Sequence, residues 1–377
     1  MSTLPTSETI ETMPEQTSRV ELSPDELTLH LIAGGLTRLV QLVNDGYPIS
    51  IPYPPALQRG LDRLVVACLR AAQAPPQNIA DLIEWCRRPL TSWPLQLPDA
   101  AIGPTDSLLI GDFPTGICDG WACARPDVEA ELGEQQLIRS VFHACMEANT
   151  TSAYVAFRSL LIQHPVLTAF ELQQHLMRPE LDRLREHVRA AYAPAPVATL
   201  VQNHFTCCGH CGNLLLQTVA GYLECEDERC RSKPRGGRQI PADDGVVWLK
   251  RGLRRFVAAP GRVELQLAGQ LEKLGVAVEL WPEFDRYDLR LTFADAVWAI
   301  DVKDWANPFL LARTVNPIPA QPSWDRAFFV VPNERVKQRP DYLRAFQNYS
   351  RHLDRTMEIV SVSQLLKKVR AQLRRMA

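Results

Sequence analysis

The spacing of apolar and polar positions divides the chain into a helical first half and a mixed second half. A first helix is predicted to start at Ser23, because S-P-D-E supplies an N-cap, a proline at the first helical position, and Glu26 to close a capping box. Leu27, Leu31, Leu36, Val40 and Val43 follow at roughly helical spacing. Further helices are expected over 55–73 and 77–88. Prolines and glycines break the pattern at 89–128, and helical periodicity resumes over 129–149 and 152–163. Thr168 with Glu171 marks another capping-box start, and 180–192 continues as helix. The short helices of 152–192 fit a helix-turn-helix, but a plain bundle is the preferred reading. Residues 23–200 are thus expected to be mostly α-helical. Residues 1–22, poor in bulky apolar side chains and without periodicity, are expected to form a disordered tail. A-P-A-P-V at 193–197 reads as a linker.

The pattern then changes. G-R-V-E-L-Q-L-A-G-Q-L-E-K-L-G (261–275) predicts an amphipathic helix with Leu265, Ala268, Leu271 and Leu274 on one face and Gly275 ending it. V-A-V-E-L-W-P predicts a strand closed by Pro282. In F-D-R-Y-D-L-R-L-T-F, Leu289, Leu291 and Phe293 alternate with Asp288, Arg290 and Thr292, a half-buried strand. A-V-W-A-I-D-V-K-D is a third strand, R-A-F-F-V-V-P a buried one, Y-L-R-A-F-Q-N-Y a helix, M-E-I-V-S-V a last strand, and Ser363 begins a final basic helix. With residues 305–325 read as a link without a helix, residues 245–377 form an αβββαβα domain on a mixed sheet.

At 377 residues the chain can hold two or three domains. No stretch approaches the ~18 uninterrupted apolar residues of a membrane span. The N-terminus lacks the basic start and apolar core of a signal peptide, so the cytoplasm is the expected location. The net charge of −2 hides an asymmetry: residues 1–205 carry 23 acidic and 14 basic side chains, residues 206–377 carry 20 and 27. A basic second half points to a polyanionic partner. All seven lysines lie after residue 232, against 34 arginines over the whole chain, so each lysine is informative.

Five of the ten cysteines fall within T-C-C-G-H-C-G-N-L-L-L-Q-T-V-A-G-Y-L-E-C-E-D-E-R-C. Cys208 and Cys211 form a C-x-x-C knuckle before Gly212, and Cys225 and Cys230 form a second pair. L-L-L-Q-T-V and G-Y-L-E read as two short strands between them. Paired cysteines bridged by a hairpin suit a tetrahedral zinc site, with thiolates at about 2.3 Å from the ion. A zinc ribbon is therefore expected over 203–235, its Zn²⁺ structural. Cys207 competes with Cys208, and His204 or His210 with one thiol. A disulfide or unconnected core cysteines are the other readings, opposed by the expected location and by polar Glu226, Asp227 and Glu228. Downstream, K-R-G-L-R-R makes Lys250, Arg251, Arg254 and Arg255 candidates for gripping a DNA backbone, with an ordinary solvated surface as the alternative.

Asp301-Val302-Lys303 is an acid-x-lysine triplet, of which about 0.8 would arise by chance in such a composition. Its context is more telling. Asp301 and Lys303 share one face of the third strand, since residues two apart do. Asp288 opens the strand before it, and Glu264 lies on the preceding helix.

In these residues, over roughly 255–377, the chain resembles the PD-(D/E)xK, or restriction-endonuclease-like, nucleases. P-G-R-V-E-L, W-P-E-F-D-R-Y-D-L-R and D-V-K-D-W-A-N-P further resemble the endonuclease component encoded beside PIWI-RE proteins and a helicase in bacterial conflict systems. The resemblance implies a metal-dependent DNA endonuclease of a defence system, with catalytic Glu264, Asp288, Asp301 and Lys303. It also implies Mg²⁺ or Mn²⁺ held by Asp288, Asp301 and the Val302 carbonyl. Tyr287, not proline, precedes Asp288, which leaves Asp285 a competitor for the first acid. DNA is the expected partner, with a PIWI-RE protein and a helicase implied by resemblance and a homodimer left open. The alternatives are a non-catalytic DNA-binding scaffold on the same fold and a resolvase of four-way junctions.

Overall fold

The computed structural model describes residues 21–44, 47, 49–124, 134–231, 233, 236–350, 353–354 and 356–376. All but two residues of the tail expected at 1–22, and the start of the helix expected at 129–149, lie outside them.

Two cores organise the helical half. Helices Pro24–Asn44, Pro55–Arg70, Ile79–Cys86 and Gly116–Ala122 bury Leu29, Ile32, Leu64 and Trp121 together. The first helix starts where its capping box places it: Ser23 N–H donates to Glu26 Oε2 (2.7 Å) and Glu26 N–H to Ser23 Oγ (3.3 Å). Helices Glu134–Glu147, Thr151–Gln163 and Arg185–Ala191, with a 3₁₀ turn at Pro179–Leu184, bury Phe157, Leu161, Leu181 and Val188. The Thr168–Glu171 box is also formed in both directions. The second core takes in Leu249, Leu253, Ala258 and Trp281, so the two halves of the chain share a hydrophobic interior.

The stretch expected as a linker begins inside a strand, at Ala193 and Pro194, and ends on a 3₁₀ turn at Val197–Thr199. Tyr192–Pro194 pairs antiparallel with Val247–Leu249, which pairs on its other side with Val166–Leu167. Ala195 N–H then donates to Val246 O at 2.9 Å. An edge strand needs its donors on one side only, so the prolines do not prevent pairing.

The C-terminal part is a mixed five-stranded sheet: β1 (Ala277–Leu280), β2 (Leu289–Thr292), β3 (Val297–Val302), β4 (Arg326–Val331) and β5 (Met357–Ser361), in sequence order. β1–β2 and β2–β3 are antiparallel, β3–β4 and β4–β5 parallel. Period-two alternation loads both faces. Trp298, Ile300 and Val302 pack on Leu267 and Leu271 of helix Ala259–Glu272 and on Leu365 and Val369 of helix Val362–Met376. Ala299 and Phe329 pack on Leu311, Tyr342 and Phe346 from the other side.

Residues 305–325, expected to lack a helix, contain one at Pro308–Thr314. Asn307 caps it, its Oδ1 accepting from Phe309 N–H (3.0 Å) and Leu310 N–H (3.2 Å), and Pro308 occupies the first turn. Its F-L-L run is apolar without a helical period because both of its sides are covered. The parallel β3–β4 pair requires such a crossover. Apart from the short helices Pro282–Asp285 and Asn333–Gln338, the observed order is α-β-β-β-α-β-α-β-α: the five strands are those read from the sequence, and Pro308–Thr314 is the helix added between the third and fourth.

Candidate functional site

Among the described residues, Cys208, Cys211, Cys225 and Cys230 are the one group of three or more His, Cys, Asp or Glu residues whose ligand atoms all lie within 4.8 Å of one another. All four are buried. A tetrahedron of sulfurs around zinc at about 2.3 Å has edges of about 3.8 Å, and Cys211 Sγ and Cys225 Sγ are 3.5 Å apart. The knuckle turns at Gly212, whose φ of +75° is one that side-chain-bearing residues rarely adopt. Cys208 N–H donates to Asn213 O (2.7 Å), and Asn213 Nδ2 donates to Cys211 Sγ (3.6 Å). Leu216–Gln217 and Leu223–Glu224 form the hairpin that carries the second cysteine pair. Cys207 points elsewhere, into a separate apolar cluster with Phe205, Leu214 and Trp248. Its burial pushes the thiol up to about 11, consistent with a core residue.

The second constellation lies where β2 and β3 meet helix Ala259–Glu272. Lys303 Nζ donates to Asp301 Oδ1 at 2.6 Å, the same-face pairing that strand geometry requires. Asp288, immediately before β2, accepts from Val302 N–H at 2.5 Å, tying the first acid to the strand of the second. Glu264 is only 2% exposed and accepts from Trp281 Nε1 at 2.6 Å. Burial and then the charges of Glu264 and Asp301 hold the Asp288 carboxyl well above the usual range. Burial also raises Glu264 and Asp285, each partly offset by Arg158. Burial lowers Lys303, but Asp301 and Asp288 outweigh it and the ammonium is favoured.

One residue here had no signal in the sequence. Arg158, from helix Thr151–Gln163, reaches both oxygens of Glu264 (3.2 and 3.4 Å) across a separation of 106 residues, and pairs with Asp285. Its guanidinium also lies over the Trp281 ring, 4.8 Å from the centroid. Gly261 permits this approach: a Cβ there would stand 2.3 Å from Ile162 Cδ1, one helical turn from each of Glu264 and Arg158. Asp285 sits in a stretch where Trp281, Glu283, Phe284 and Asp285 all have positive φ, between 47° and 73°. Such backbone costs about 1–3 kcal/mol per residue and needs outside support. Tyr154 supplies it, donating to Asp285 Oδ2 (3.1 Å) and packing edge-on against Phe284. Asp285 is thus committed to Arg158 and Tyr154, while Asp288 faces the triplet. The carboxylates do not converge as the cysteines do, because Arg158, Lys303 and the Val302 amide each draw one aside.

The basic run at 250–255 is placed differently from expectation. Arg254 is 4% exposed, paired with Glu226 (2.7 Å) and stacked 3.4 Å from the Trp248 centroid. Arg251 and Arg255 both pair with Asp119 of helix Gly116–Ala122. Of the four candidates for DNA contact, only Lys250 is exposed. These arginines join parts of the chain, because an isolated buried guanidinium would be too costly without a carboxylate.

Asp288, Val302 and Lys303 line a cleft of about 310 Å³, walled by Asp119 and Gly120 from the N-terminal part and by Asp227, Glu228 and Arg229 from the cysteine ribbon. No helix among the described residues is long and apolar enough to cross a membrane.

Residues 261–377 match the family described as the REase associating with pPIWI_RE, and residues 28–168 match the pPIWI_RE three-gene island domain Y. No curated protein and no solved structure matches the chain. Together the two matches indicate a REase-like domain of a pPIWI_RE three-gene island in the C-terminal part and a region similar to that island's domain Y in the N-terminal part.

Proposed function

We propose that this protein is a metal-dependent DNA endonuclease of the PD-(D/E)xK type, acting in a bacterial defence system beside a PIWI-RE protein. The observation that carries the reading is the gathering of Asp288, Asp301 and Lys303 at one end of β2 and β3, inside the region matching the REase family. Asp288, Asp301 and the Val302 carbonyl would hold Mg²⁺ or Mn²⁺. Two carboxylates and a carbonyl suit a hard cation that keeps several waters, and the crowding that raises Asp288 is relieved by a divalent charge. When bound, the ion would stabilise charge on the phosphate and favour ionisation of a water. Lys303, already on Asp301, would orient the attacking water in line with the scissile bond, a task for a compact ammonium rather than a planar guanidinium. Glu264, held by Trp281 and Arg158, would fix the far side of the site. The four cysteines would hold a structural Zn²⁺, with no position left open for chemistry.

Purified protein with Mg²⁺ or Mn²⁺ should cleave DNA. Asp301→Ala and Lys303→Ala should each reduce the rate by at least about 100-fold, the scale of removing a group that acts on the transition state. Cleavage that survives both changes would refute the assignment. Salt-dependent DNA binding without cleavage, in the presence of the island's other proteins, would favour the scaffold reading. Preference for a four-way junction over linear duplex would favour the resolvase reading.

A further inference from the structure

We infer that the nuclease site is held shut by the protein's own carboxylates, which occupy arginines that a DNA backbone would otherwise take. The inference rests on the nuclease reading for what the cleft does, but its observations are independent of the triplet.

The cleft mouth is a seam between the REase-type domain and two other parts of the chain, and ion pairs close it. Glu228 of the ribbon pairs with Arg335 (2.7 Å), and Asp227 with Arg262 (2.9 Å). Asp119 of the N-terminal part pairs with Arg251 (3.3 Å) and with Arg255. Arg229 pairs in the opposite sense with Asp304, the residue after Lys303. Gly116 N–H also donates to Glu228 Oε2 at 3.3 Å, so the two covering parts hold each other. These carboxylates are largely removed from solvent: side-chain exposure is 9% for Asp119, 7% for Asp227 and 18% for Glu228.

Two consequences follow from charge and shape. Five cationic side chains line the cleft against six carboxylates, so as folded it offers a phosphodiester no net attraction. A duplex presents its phosphates on a stiff convex surface. Asp288, Val302 and Lys303 line a 310 Å³ cleft walled by three parts of the chain, too narrow for a duplex to seat a scissile phosphate against them unless the walls part. Parting the seam would free Arg255 and Arg262 beside the acid site and leave Arg335 with Asp304 as its remaining carboxylate. A guanidinium binds carboxylate and phosphate through the same planar, two-pronged geometry, so exchange of one for the other conserves its hydrogen bonds. DNA entry is therefore a competition between backbone phosphates and Asp119, Asp227 and Glu228.

The test uses the full-length, zinc-loaded chain and a fluorescein-labelled DNA duplex, with Ca²⁺ for binding and Mg²⁺ or Mn²⁺ for cleavage. Glu228→Gln is the main variant, since Arg335 keeps Asp304 (2.9 Å) and the fold should persist. Its DNA affinity, by fluorescence anisotropy, should rise at least fivefold, and Asp119→Asn should act in the same direction if its melting curve shows it folded. A second arm locks the seam. A Cβ at Gly116 would lie 3.0 Å from Ala306 Cβ, about half an ångström closer than the disulfide range, so the bridge closes with a small backbone shift; Glu228 Oε1 (3.0 Å) and Arg335 Nη2 (3.4 Å) also border that Cβ, which makes the reduced double variant the reference for the oxidised one. Oxidised G116C/A306C should lose DNA binding and cleavage, and reduction should restore both. Unchanged or weaker binding by Glu228→Gln, or an oxidised lock that binds and cleaves like its reduced form, overturns the inference while leaving the nuclease reading intact. Tighter binding by Glu228→Gln with no cleavage by any form refutes the nuclease reading and leaves the closure standing.

Discussion

Replacing Arg158 with methionine keeps most of the side-chain volume and removes the cation that pairs with both Glu264 and Asp285. Glu264 is 3% exposed at its side chain, so it is left as a buried carboxylate with Trp281 as its remaining donor. Breaking a buried pair by deleting one partner costs about 3–5 kcal/mol. At about 2.1 cal/mol/K of unfolding entropy per residue, that lowers the melting temperature of the whole chain by roughly 4–6 °C. The loss should depend on pH, and its sign follows from Glu264 and Asp285. Both carboxyls already lie above their ordinary values because of burial, and Arg158 opposes that rise. Without it they rise further. The folded variant then binds protons that the unfolded chain does not, so its stability falls as pH increases from the unfolded carboxyl range through the raised folded values. The deficit relative to wild type should be smaller at pH 5.5 than at pH 8. Adding Glu264→Gln should recover part of it, because the uncompensated charge is then gone. Differential scanning fluorimetry of the wild type, the single variants and the double variant at both pH values measures all of this. A variant within about 1 °C of wild type at both pH values, or one hurt more at low pH, would refute the account of Arg158 as the counter-ion of a buried acid pair.

Serine in place of Cys208, Cys211, Cys225 or Cys230 should remove about one zinc per chain by elemental analysis, because three thiolates and a hydroxyl hold the ion far less well. Cys207→Ser should retain the zinc. Arg254→Met should destabilise the protein by about 3–5 kcal/mol in a denaturant titration, since Glu226 then lies buried without a partner. Lys250→Ala, on the surface, should change stability by no more than about 0.5 kcal/mol.

Features encoded within a few residues were legible in the sequence. The Ser23 and Thr168 capping boxes formed as written, because an N-cap and its third helical residue meet whatever packs outside them. The four-cysteine cluster assembled for the same reason, with hairpin and knuckle both local. The alternation in β2 and β3 placed Asp301 beside Lys303. Mistaken expectations came where tertiary context overrode local cues. A-P-A-P-V has the composition of a linker, yet Val247–Leu249 offers it a strand partner some fifty residues away, which no local rule can supply. Helix Pro308–Thr314 hid because its apolar run has no polar face, although Asn307 and Pro308 were a readable start signal. The helix carrying Glu264 also buries Gly261 and Leu267 beyond its predicted face, since it packs on helix Thr151–Gln163 as well as on the sheet.

By itself the sequence determined the kinds of most elements, the two cysteine pairs that gather into one cluster, with Cys207 still competing with Cys208, and the acid-x-lysine strand. Each of these depends on residue spacing, and spacing survives in the linear chain. Only the tertiary structure decided the surroundings of the acids. It brought Arg158 onto Glu264, turned Arg251, Arg254 and Arg255 inward onto Asp119 and Glu226, and set Glu228 against Arg335 across the mouth of the cleft. A charged side chain looks the same in the sequence whether it meets water, DNA or another part of its own chain. Which of these it meets depends on long-range packing, and burial makes an internal partner obligatory.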